Sequence, residues 1–175
     1  MSDGTGWDFR DEQELQISNR YEEHGYVIEK ADQNHLEAMK VEIENAYFDF
    51  IGTKERSRTR LENAHHVIKH DESNNLRLHV MQRLSQGTSF QKNYYYAAKK
   101  IIDLLCGNEL AMQKRPGLSI NLPQNDKDVL PIHADTWNGV SPFELNIWIP
   151  FVDCFDSMSL YILNRDKYRE KLKNL

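Results

Sequence analysis

At 175 residues the chain is the size of one domain, and 39% hydrophobic with 10% aromatic content is too apolar for a disordered one. Acidic residues outnumber basic ones, 27 to 22, and the net charge of −5 disfavours nucleic acid as a partner. No run approaches the roughly 20 apolar residues of a membrane-spanning helix, which excludes a membrane partner of that kind.

In chain order, MSDGTGWDFRDEQEL has neither the basic start nor the apolar stretch of a signal peptide, so a cytoplasmic protein is expected. Residues from about Asp11 to His24 are polar and helix-compatible, with Gly25 placed to stop them. GYVIEK (25–30) is a short strand candidate. Asp32 can cap a second helix, where Leu36, Met39, Ile43, Tyr47 and Phe50 recur at three- and four-residue steps until Gly52 closes it. Residues 53–64 are charged and expected to be exposed. A third helical pattern covers 75–86. A fourth, from about Ser89, carries Phe90, Tyr94, Ala97, Ile101, Leu104 and Leu105 on one face and ends at Gly107.

The pattern changes after Gly107. LAMQK (110–114), GLSINLP (117–123), VLPIHAD (129–135), FELNIWIPFVD (143–153) and SLYIL (159–163) are short apolar or alternating runs separated by Pro, Gly, Asn and Asp. They predict strands, with the helices packed outside an antiparallel sheet in an α+β arrangement. The expectation is a single domain over 1–175: mainly helical to about 107, β-core strands over 108–163, and a polar tail over 164–175. Cys106 and Cys154 show no zinc-type spacing and read as two buried thiols of a reducing compartment rather than a disulfide.

LPIHADTWNG carries the chemistry. Residues two apart on a strand share a face, so His133 and Asp135 would point together into one pocket. An imidazole nitrogen beside a carboxylate oxygen makes two corners of a 2-His-1-carboxylate Fe(II) site, whose open positions take a keto acid and O2. The bland alternative for a bare HxD is a surface histidine near a turn aspartate. Its setting favours the metal reading, because strands with Ser119 and Asn121 before it and Trp148 after it would surround it as in a double-stranded β-helix, or jelly roll.

The stretch GLSINLP…LPIHADTWNGVSPFELNIWIPFVDCF…SLYIL resembles the core of Fe(II)/2-oxoglutarate-dependent oxygenases of the phytanoyl-CoA dioxygenase type. More closely, it is similar to a subgroup associated with bacterial carbohydrate gene clusters. The resemblance covers about residues 115–163. It implies N-terminal helices packed on a truncated double-stranded β-helix core, with His133 and Asp135 as catalytic iron ligands. It also implies Fe(II) and 2-oxoglutarate as cofactors, contacts to the keto acid from Asn121 and Ser119, and Trp137 lining the substrate pocket. The implied reaction couples conversion of 2-oxoglutarate to succinate and CO2 with hydroxylation of a small polar, carbohydrate-linked substrate. Related halogenating enzymes lack the carboxylate, and Asp135 retains it.

The resemblance stops short. The seven histidines include none after His133, whereas the family places a second histidine and then an arginine on late strands. The chain therefore matches about the first two-thirds of such an enzyme. Loss of those strands would leave a sheet face to be covered by a second copy or a partner chain. Two alternatives follow: a non-catalytic oxygenase fragment that folds by association with another chain, or a cupin-type metal-dependent isomerase or lyase. In HHVIKH, His66 and His70 lie four apart and could supply a third ligand if helical, although a solvated turn is the simpler reading. His79 is expected to pack in part against the core.

Overall fold

The computed structural model describes residues 10–53, 60–107, 109–125 and 130–172. Its first half is built from helices whose ends are written in the sequence. Helix α1 (Glu12–His24) starts at Asp11, whose carboxylate accepts from the Glu14 amide at 2.8 Å while the Glu14 side chain accepts from the Asp11 amide at 3.0 Å. This reciprocal cap satisfies two amides that have no partner inside the helix. Helix α2 (Gln33–Ile51) starts at Asp32, which accepts from Asn34 and His35, and ends at Gly52. Gly52 has φ +67°, a conformation that a Cβ would strain. Helices α3 (Ser73–Leu84) and α4 (Ser89–Cys106) follow, and a short α5 (Arg165–Leu172) ends the described chain.

Helix α2 packs against both α3 and α4, and α1 meets α4 and α5. The core is their shared interior: Met39, Ile43 and Tyr47 of α2, Leu76 and Val80 of α3, and Phe90 of α4 are all buried. Polar ties fix the register. The Asp32 amide donates to the Ala97 carbonyl at 2.9 Å, and His35 Nδ1 lies 2.9 Å from Asn93 Oδ1. His79 is half-buried against the Phe50 ring, as a packing residue. The turn before α3, a 3₁₀ helix over Leu61–His66, is tied to α2 by Lys40 and Glu62 at 3.0 Å. Each partner shifts the other: hydrogen bonding to Glu62 raises the Lys40 ammonium, and hydrogen bonds from its own backbone and from Lys40 lower the Glu62 carboxyl.

The second half corrects the expected fold class. No strand or sheet occurs among the described residues, so the molecule is helical and not an α+β jelly roll or double-stranded β-helix. None of the segments read as strands at 25–30, 110–114, 117–123, 129–135, 143–153 and 159–163 is one; residue 129 lies outside the described residues. The reason lies in pairing. Burial does alternate along 117–122, where Leu118, Ile120 and Leu122 turn inward, and along 144–151, where Leu145, Ile147, Ile149 and Phe151 do. Leu118, Ile120, Ile149 and Phe151 pack on the helical core. Alternation needs only a local conformation, whereas a strand needs a second backbone beside it, and among the described residues no ladder forms. Side chains hold the segments instead. The Tyr94 hydroxyl donates to the Ile147 carbonyl at 2.5 Å, and Phe151 lies 6.4 Å from the Phe90 ring. Trp148, expected on a strand beside the motif, is on the outer side and 51% exposed.

Two local points that the sequence left open take a definite form. The expected polar tail forms α5 from Arg165. His66 ends the 3₁₀ helix while His70 lies in the turn beyond it, so the two do not share a helical face. Among the described residues, no helix is long and apolar enough to cross a membrane.

Candidate functional site

His133 and Asp135 do come together, although not on a strand. The chain turns at Asp135–Asn138 in a 3₁₀ helix that ends at Gly139, φ +83°, and this reversal brings the 144–151 segment back past the motif. His133 Nε2 lies 3.4 Å from Asp135 Oδ1. Both side chains are partly exposed, at 36% and 45%.

The outer atoms of the pair are both occupied. His133 Nδ1 is 2.7 Å from the Pro131 carbonyl oxygen. A carbonyl can only accept, so Nδ1 carries the hydrogen. In the neutral imidazole, Nε2 is then an unprotonated acceptor. Asp135 Oδ2 accepts from the Asn146 amide at 2.8 Å, which leaves Oδ1 toward the histidine. Both of these atoms, Nε2 and Oδ1, are acceptors, and the 3.4 Å gap between them can take a cation. The separation also suits two neighbouring ligands of one ion with bonds of ~2.1 Å. Holding the outer atoms of ligands by carbonyl and amide groups is how proteins orient metal-binding side chains. The residues thus fit two positions of a divalent ion. Among the described residues, no group of three or more His, Cys, Asp or Glu side chains could hold a metal, so the pair is not part of a complete ligand set.

Of the remaining candidates, Trp137 shares the 3₁₀ turn with Asp135, whereas Ser119 and Asn121 belong to a different feature. Ser119 and Asn121 are exposed and line a broad cleft between the helices and the alternating segments, which His133, Asp135 and Trp137 do not line. Trp137 sits in the 3₁₀ turn, 53% exposed, its amide donating to the Ala134 carbonyl. Asn146 belongs to both places, since it lines the cleft and holds Asp135. Sequence reasoning missed Asn146. Its parity with Glu144 and Trp148 was legible, but its contact with Asp135 depends on how tightly the chain reverses at Gly139. Cys106 and Cys154 are free thiols, but Cys106 is exposed and Cys154 only half-buried, so the expected burial is not met. Compared with known families, curated proteins and solved structures, the chain matches none.

Proposed function

We propose that the chain is an Fe(II)/2-oxoglutarate oxygenase-like protein in which His133 and Asp135 hold two positions of the ion. The observation that carries this reading is the pair of facing acceptors 3.4 Å apart, each with its other polar atom tied down. The likeness of HADTW and SPFELNIWIPFVD to oxygenase cores supports iron over other divalent ions, and a small polar, carbohydrate-linked molecule as substrate. Bound with the keto acid, Fe(II) would supply oxidation of a substrate C–H bond coupled to conversion of 2-oxoglutarate to succinate and CO2. Pro131 keeps the imidazole in the tautomer that presents Nε2, and Asn146 orients the carboxylate. The two free thiols suit a reducing, cytoplasmic setting.

Anaerobic titration with Fe(II), followed by 2-oxoglutarate, tests the reading through the visible charge-transfer band of a chelated keto acid. Asp135→Ala should abolish specific iron binding, and Asn146→Ala should weaken it about 10- to 100-fold, as loss of an orienting partner does. Unchanged iron affinity in Asp135→Ala would reduce the pair to an imidazolium–carboxylate contact and sink the proposal. Iron binding that ignores 2-oxoglutarate would favour a keto-acid-independent isomerase or lyase.

A further inference from the structure

The chain exposes 13924 Å² of surface. A folded monomer of 20.6 kDa exposes about 8,900 Å² by the usual scaling of area with mass. Even if every undescribed residue is counted at fully unfolded exposure, an excess of about 2,000 Å² remains on the described ones. A standard protein interface covers about 800 Å² per partner, so the excess is ample for one.

Part of this open surface lines the cleft between the helical core and the alternating segments, a space of about 2180 Å³. Its walls carry Phe143, Trp148, Phe155 and Met158, all at least half exposed, with Phe143 at 95%. Residues 144–150 form one wall and join no backbone ladder among the described residues. The buried hydroxyl of Tyr47, also on the wall, has no hydrogen-bond partner. Charge on this region is one-sided. Residues 130–164 contain no Lys or Arg and four acids, Asp135, Glu144, Asp153 and Asp156. Of these, Glu144, Asp153 and Asp156 line the cleft, as do Glu109 and the Lys40-paired Glu62, against one Arg or Lys among the described lining residues, Arg115.

We infer that the cleft seats an extended, basic polypeptide segment of a partner protein. Its backbone would pair with residues 144–150, its apolar side chains would cover Trp148 and Phe155, and its cations would meet Glu144, Asp153 and Asp156. An added strand supplies what the alternating segment has without a mate: a ladder of amides and carbonyls plus alternate pockets. A second copy is the poorer occupant, because a two-fold contact would set the same acids against themselves. His133 and Asp135 do not line the cleft, so the inference does not rest on the metal reading, although Asn146 touches both places.

Two ten-residue peptides, one alternating Val with Lys and one alternating Val with Glu, test it against the full chain by fluorescence anisotropy at low salt. The basic peptide should bind at least tenfold more tightly and slow hydrogen exchange of amides 144–149. The exposed double substitution Asp153→Lys with Asp156→Lys should reverse the preference while leaving the helical circular dichroism intact. If that variant fails to fold, the two peptides on the unaltered chain still decide. Equal affinities, or no protection of 144–149, overturn the inference. A dimer in sedimentation whose 144–149 amides are already protected without peptide overturns it in favour of a second copy.

Discussion

Residues 12–106 and residues 109–164 are comparably patterned in sequence and fold by different rules. In the first region every helix satisfies its own backbone, and Asp11, Asp32 and Gly52 close ends that would otherwise carry unsatisfied groups. The apolar stripes then meet and bury Met39 and Val80 completely. In the second region the inward residues, such as Ile120 and Ile149, still find the core, but among the described residues the backbone makes only turn and side-chain hydrogen bonds and no ladder. Apolar side chains from Leu130 to Leu163 accordingly remain at the surface. A hydrophobic pattern is enough to place one face of a segment. It is not enough to make a strand.

The contrast can be broken first at its strongest point. Met39→Ala, at a fully buried site between helices, should cost about 2–5 kcal/mol in urea unfolding. Leu160→Ala, exposed in the second region, should shift the midpoint by no more than about 0.5 kcal/mol. Equal costs would mean that the outer segment is buried after all. Next in size is the clamp between the regions. Tyr94→Phe removes the donor to the Ile147 carbonyl and should cost about 0.5–1.5 kcal/mol, with faster amide exchange confined to residues near 147.

Alkali offers a second way to open that clamp. Burial raises the Tyr94 hydroxyl above its ordinary value. The folded state therefore holds the proton more tightly than the unfolded chain. The contribution is complete below about pH 10 and is lost as pH rises through the raised value. Exchange near 147 should accelerate there before the helices melt.

Asp32→Ala, which deletes the α2 cap, should cost about 1 kcal/mol and leave the 144–151 segment unchanged. The smallest effect belongs to Lys40 and Glu62, worth under about 1 kcal/mol because both are partly exposed. The Glu62 carboxyl is lowered in the folded state, so its share is present above about pH 4.3 and is lost as pH falls through the lowered value. An acid titration of Glu62→Gln against the unaltered chain should show the difference vanish at low pH.

The legible parts of this molecule are those whose cause is local. The limits of α1 and α2 were readable because Asp11, Asp32, Gly25 and Gly52 act within a few residues of themselves. The inward face of α4 was readable at Phe90 and Ala97, though its turn buries Ile102 more fully than Ile101. In the candidate site, the proximity of His133 and Asp135 followed from their two-residue spacing, but the strand invoked to explain it is absent. A 3₁₀ turn at Asp135 produces the contact instead. Asn146, eleven residues on, was invisible because no short-range rule specifies where the returning chain comes to rest.

The sequence by itself determined helices α1 to α4, the ends of α1 and α2, and the apolar faces that meet in the core. Each of these depends on periodicity or on capping chemistry. Tertiary structure alone decided that 117–122 and 144–151 lie unpaired against the helices, that Tyr94 and Asn146 anchor them, and that an acidic, apolar cleft stays open. A strand, a cleft or an orienting contact exists only between segments, and its free energy is set by whichever backbone or side chain arrives beside it.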